Sequence, residues 1–482
     1  MKRIKNKIDQ WNEGSGGPSK YDMIAALAIV LLISCFFCFL KDFKLTVMQS
    51  LTFDACIFNG KVHKFYSIVN AQALSGYYDS VWENSLSAGA NYSIINYATL
   101  GIVCLPLYVI EKIAKTAVPF VHYEVIVKAV FVAITLYMTK LVGDICSLVS
   151  MDEGRSRWLK FAFLSSPILW YSCLMISQMD IFSLLFLMLG IRASIKGRKR
   201  PELLFYALSV FYKPFALIAI IPIILLKEKR ILYIFRDVLF TLAGLLFQNV
   251  VYHFDSGYAR VQEYMGELYN FSERFFSSGF VTSRNVYTAN AGFFVISFVI
   301  ICVIAYSIRK FDYHLMFALP FASWCAFVVF VQWHPNWLVF MIPFAVMILG
   351  YSYRIKLQCA IECVFMIFFL FVNSLGWLFN YDNDLINGGI LSQVFGLYSE
   401  GGEFGTIRPI LTDKLSAIPV DFYISVLSAA AIAMVAAVVM DVYRRRKQYS
   451  YDIREAKFER GVMWLRSLPV LCFIVYSLAT CI

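Results

Sequence analysis

The residues in this sequence with chemistry to offer stand where long apolar runs are interrupted. Asp54, in QSLTFDACIFNG, follows the first apolar run. A carboxylate at such a boundary is partly desolvated, which raises its proton affinity toward that of a general base, although a helix cap or a solvated loop acid uses the same residue type. Gln178 and Asp180 form an SQMD turn between two apolar runs. Lys213 sits in Tyr212-Lys213-Pro214, midway through the apolar segment 202–226 and with no acidic neighbour in sequence. A phosphate would suit that cation; a lysine snorkelling to the membrane surface is the alternative. His334 lies in VQWHPNWLVF between Trp333 and Trp337, where an aromatic belt is expected on physical grounds alone. Arg260 and Arg284 share a loop with Glu263, Glu267 and Glu273, and either bind an anion or pair with those acids.

The elements that must hold these groups are membrane helices. Of the 482 residues 60% are apolar and 17% aromatic, and the mean hydropathy is +0.67. Runs such as Met23 to Leu40 and Phe422 to Met440 approach the roughly 20 apolar residues that a spanning helix requires. The expected fold is all-α and polytopic, with about 11–13 transmembrane helices in a single domain over residues 1–482. The formal charge of +11 is carried by short basic clusters between apolar runs; these set topology and form no nucleic-acid-binding surface. With every basic cluster inside, the N-terminus is cytoplasmic. Residues 41–122, 251–289 and 379–418 are then extracytoplasmic, as are the turns at Gln178 and Gln332. The same bookkeeping makes 91–110 an interfacial or re-entrant helix. It also makes 202–226 two half-helices broken at Lys213-Pro214, since proline interrupts a helix. The apolar run after the basic N-terminus ends without a small-residue cleavage site and reads as an uncleaved anchor. Ten of the twelve cysteines lie in or beside apolar runs, as small hydrophobes do. The sequence contains no Walker loop, H-E-x-x-H, nucleophile elbow or zinc-type C-x-x-C pair.

The order of TFD with Asp54, ANYSIINYATLGIVCLPLY, Gln178-x-Asp180, Tyr212-Lys213-Pro214 and Trp333-His334-Pro335 resembles the GT-C superfamily of polyprenyl-phosphate-sugar-dependent glycosyltransferases. It is most similar to the bacterial branch akin to the second GPI mannosyltransferase, and the likeness spans most of the chain. The resemblance implies a multi-pass enzyme of a bacterial plasma membrane. Such an enzyme moves one sugar with inversion from a polyprenyl-phosphate donor to a cell-surface glycan or lipid-linked acceptor. Asp54 would be the base, and Lys213, with His334 or Arg284, would meet the phosphate. Tyr92, Trp333 and Trp337 could stack on sugar rings or anchor the membrane interface. No second acid stands beside Asp54, so no cofactor is expected and a divalent metal gains no support from an acidic pair. A flippase or a polymerase of lipid-linked oligosaccharide is the alternative from the same residues.

Overall fold

An apolar run in a bilayer must satisfy its backbone N–H and C=O groups internally, and helices do so within one segment. The computed structural model describes residues 16–77, 89–268, 275, 278–284, 287–376, 385, 388–396, 410–415, 417–447 and 457–481. Helix dominates them, apart from one antiparallel hairpin, β1 (Gly279–Arg284) with β2 (Tyr287–Gly292), in which Gly279 faces Gly292. Among the described residues, five helices are long and apolar enough to cross a membrane, and up to seven if each of two bent pairs is one span. The chain is a helical, multi-pass membrane protein. Eleven to thirteen crossings are expected from sequence; several of the apolar runs form helices of only 10–17 residues, such as Phe293–Ser307 and Leu468–Ala479.

The elbow between α1 (Lys20–Phe36) and α2 (Leu40–Phe58) sets up the site. The two helices meet at 78°, so α2 turns aside from the line of α1; it begins the stretch 41–122 expected from sequence to be extracytoplasmic. Phe37, extended at φ −122° and ψ 135°, ends α1. The free backbone groups this break creates are met from elsewhere in the chain. Cys38 N donates to Leu385 O at 2.7 Å. Lys128, on α5 (Phe120–Leu148), donates to Phe37 O while pairing with Glu124 at 2.8 Å. Gln393, on α17 (Ile390–Phe395), donates to Glu124. Gly388 and Gly389 lie so close to Cys38 O and Phe36 O that any Cβ would collide with them.

Glu124 and Lys128 are buried, and stripping one charge from a buried pair costs far more than the pair contributes. Lys128→Met is therefore expected to destabilise the protein by about 3–5 kcal/mol, read as a fall in thermal midpoint in detergent. Adding Glu124→Gln should restore most of that loss.

Beyond the elbow, α2 packs along α4 (Ile94–Ala114), where Phe58 stacks on Tyr108 with ring centroids 6.1 Å apart. The segment 91–110, expected to be interfacial or re-entrant, instead lies mostly in a continuous helix, Ile94–Ala114, that is one of the five long and apolar enough to cross a membrane. Two further helices, α3 (Phe65–Leu74) and α12 (Ser256–Leu268), close over this pair through Tyr66, Tyr252 and Tyr258.

The break expected from sequence at Lys213-Pro214 is present. One arm is α8 (Lys199–Tyr212), Lys213 is extended at φ −151° and ψ 115°, and a 3₁₀ turn from Pro214 leads into α9 (Leu217–Lys227). The arms return to the same end of the bundle, where Lys227 pairs with Glu202 at 3.1 Å. Basic groups gather at that end, including Arg192 on Asp144 and Lys199 on Asp237. Lys213 stands at the opposite end.

Candidate functional site

Four chain breaks meet at the end of the bundle away from the basic clusters: the α1–α2 elbow, the start of α4, the SQMD turn and the α8–α9 apex. Asp42 lies in the first turn of α2, where the positive end of the helix dipole favours a carboxylate. Gln178 Nε2 donates to Asp42 Oδ2 at 2.6 Å. A carboxylate only accepts, so this bond fixes the amide and leaves Gln178 Oε1 to accept from the Tyr92 hydroxyl at 2.9 Å. That hydroxyl is also 3.3 Å from Asp42 Oδ2, closing a ring of three side chains drawn from residues 42, 92 and 178.

Over the ring of Tyr92 stands Lys213, its ammonium 4.9 Å from the ring centre. The ammonium is also 3.5 Å from Asp180 Oδ1, and Asn336 Nδ2 donates to Asp180 Oδ2 at 2.6 Å. Two carboxylates and one lysine are thus arranged around a single tyrosine.

The backbone aims these groups. Ser177 has φ +59°, a left-handed conformation that costs a non-glycine residue energy and is kept where the surroundings over-determine it. It turns the chain so that Gln178 and Asp180, at the start of α7 (Asp180–Ile195), both reach the cluster. Lys213 is held through its neighbour: Asn96 Nδ2 donates to Tyr212 O at 3.1 Å, the Tyr212 hydroxyl pairs with Thr99 at 2.5 Å, and Phe182 and Phe186 stack on the Tyr212 ring.

Burial raises the Asp42 carboxyl above the ordinary carboxylate range, against the hydrogen bond from Gln178 and the field of Lys213, which lower it. A carboxylate of this kind holds a proton more firmly than an ordinary one, and the nearby ammonium can hold an anion. Among the described residues no group of three or more His, Cys, Asp or Glu could hold a metal ion.

The expected site residues divide. Tyr92, Gln178, Asp180 and Lys213 come together. Asp54 is not brought to them: it is twelve positions beyond Asp42 on α2, about 18 Å along the axis and roughly 120° around it. It is buried against Gly101, where a Cβ would force the carboxylate to move, and among the described residues Oδ2 has no hydrogen-bond partner. Burial alone pushes its carboxyl up to about 7.

Trp333 and Trp337 are buried in packing. Trp333 donates to Val328 O at 2.9 Å and stacks on Phe369, while Trp337 packs on Phe215 at 4.1 Å. Neither presents a free face to a sugar. His334 is half-buried with its ring 5.6 Å from that of Trp337. Arg260 is exposed on α12, and the side chain of Arg284 lies outside the described residues. The residues that sequence missed are Asp42 and Asn336. Asp42 had a signal, an acid two residues after the apolar run from Met23 to Leu40; Asn336 had only its place after His334-Pro335.

Asp54 makes a separate, checkable prediction. Its folded-state proton affinity is raised above the unfolded value of about 4. Between about pH 4 and about pH 7 the folded state therefore holds a proton that the unfolded state has lost, and stability falls as pH rises through that window. Asp54→Asn should abolish this fall, measured as thermal midpoint against pH for both proteins, and should leave Asp42 untouched.

No model of a known protein family matches the chain, and no curated protein matches it.

Proposed function

We propose that the chain is an inverting glycosyltransferase of the GT-C type, moving a single sugar from a polyprenyl-phosphate donor to a glycan or lipid-linked acceptor. The observation that carries this reading is the placement of the Asp42 carboxylate at the hydroxyl of Tyr92 and of the Lys213 ammonium over its ring. The acceptor hydroxyl oxygen bonds to the anomeric carbon while the bond from that carbon to the phosphate oxygen breaks on the opposite face. The acceptor proton passes to Asp42, and the departing electron pair stays on the lipid phosphate, whose charge Lys213 offsets. Asp42 takes this role in place of Asp54, which is buried on another part of α2. Gln178 and Tyr92 orient the base, and Asp180 holds the lysine until an anion replaces it.

The basic clusters at the far end of the bundle support a cytoplasmic N-terminus and an extracytoplasmic site. A polyprenyl tail confined to the bilayer would present its phosphate at such a boundary. The gathering of these groups at one end favours chemistry at a surface over a path through the membrane, as a flippase would need. The test is to reconstitute the full chain in nanodiscs with undecaprenyl-phosphate hexoses and pentoses and an envelope glycolipid extract. Release of undecaprenyl phosphate with labelling of the extract is the expected result. Transfer of preassembled oligosaccharide but not of single sugars would indicate the polymerase, and movement of lipid-linked sugar without transfer the flippase.

A further inference from the structure

Asn336 is buried, and its two polar atoms are treated differently. Because Asp180 Oδ2 can only accept, Asn336 Nδ2 must face it, at 2.6 Å. That fixes the amide and turns Oδ1 away, and among the described residues this oxygen has no hydrogen-bond partner. A buried amide oxygen left unpaired costs free energy, and native proteins keep such groups where a ligand or a water completes them. The missing partner must be a donor. A phosphate ester with no proton to give cannot supply one; a sugar hydroxyl can.

The position of Asn336 narrows the ligand further. Asp180 links it to Lys213, with one carboxylate oxygen on the amide and the other 3.5 Å from the ammonium. An arriving lipid phosphate competes for Lys213 and draws it from Asp180, uncovering the carboxylate and the amide behind it. A glycosyl phosphate carries its hydroxyls next to its phosphate, so one molecule can meet both groups. We propose that Asn336 Oδ1 accepts a hydrogen bond from a hydroxyl of the transferred sugar, and that Asp180 couples this sugar-reading amide to the phosphate-reading lysine. This rests on the donor being a glycosyl phosphate, as proposed above, and adds the group that reads its sugar.

The test measures binding by the full chain in nanodiscs, with bare undecaprenyl phosphate and with mannosyl, glucosyl and arabinosyl undecaprenyl phosphate as probes. Wild type should bind at least one glycosyl lipid about tenfold more tightly than the bare lipid, the worth of one well-made hydrogen bond. One monodeoxy analogue of that sugar should lose the tenfold advantage. In Asn336→Leu the penalty for the deoxy analogue should vanish, while the bare lipid still binds and so reports an intact fold. A deoxy penalty that persists in Asn336→Leu overturns the assignment and leaves the donor reading standing. If the variant fails to insert, wild type alone decides: equal binding of every monodeoxy analogue overturns the assignment. Equal binding of bare and glycosylated lipids by wild type overturns the donor reading itself, and the assignment with it.

Discussion

Asp42→Asn should lower the rate of sugar transfer by about 10²–10⁴-fold, the usual contribution of a positioned general base, with little change in folding. The amide keeps an oxygen to accept from Gln178 or Tyr92, so the ring of side chains at 42, 92 and 178 can persist. What it cannot do is take a proton. The loss should therefore fall on kcat, with binding of the bare lipid phosphate unchanged. The pH dependence follows from the direction of the shift. A base works ionised, and burial holds the Asp42 proton to a higher pH than an ordinary carboxylate, near 4, would allow. Activity should fall on acidification along a limb that lies above that ordinary range, and the residual activity of Asp42→Asn should lack the limb. Full activity in Asp42→Asn would remove Asp42 from the mechanism. If Asp54→Asn were the inactive variant instead, the base would be the one expected from sequence.

Lys213→Met should cost about 10²–10³-fold in transfer, the size found when one preorganised charge-stabilising group is removed. Unlike Asp42→Asn, it should also weaken binding of the bare lipid phosphate, because the ammonium meets the ground-state anion as well as the charge that develops on departure. Methionine preserves much of the side-chain bulk beside Tyr92, so the site should not collapse. Removing the cation leaves the buried Asp180 carboxylate with Asn336 as its partner among the described residues, so a loss of stability of about 3–5 kcal/mol is expected beside the loss of rate. Lys213→Arg keeps the charge but carries it on a broad planar fork, and should recover binding better than rate. Unchanged phosphate binding in Lys213→Met would mean that the cation serves only Asp180.

The two substitutions test neighbouring groups whose relation was hidden in sequence. Lys213 reads as an unpaired cation because no acid lies near it along the chain, yet Asp180, 33 positions earlier, stands against it. Asp54 drew attention through its TFD context and its distance past the first apolar run. That distance assumed the chain left the membrane as a loop. It leaves as a helix, and a helix fixes which acid faces the site: Asp42 in its first turn, with Asp54 three turns on and facing α4.

The tryptophans misled for a related reason. At a helix boundary an aromatic can face lipid, ligand or core, and only the packing of Trp333 on Phe369 and of Trp337 on Phe215 separates these.

Composition alone determined that the chain lives in a bilayer, because no aqueous fold could bury so many apolar residues, and Pro214 marked one helix break while the basic clusters marked which ends lie together. Those are local properties, legible residue by residue. Which carboxylate meets which cation was decided only by tertiary structure. The decisive contacts join residues 42, 92, 178, 180, 213 and 336 across five chain breaks, and their geometry depends on the 78° elbow after α1 and the left-handed turn at Ser177. Both conformations are imposed by the packing around them, which no single stretch of sequence contains.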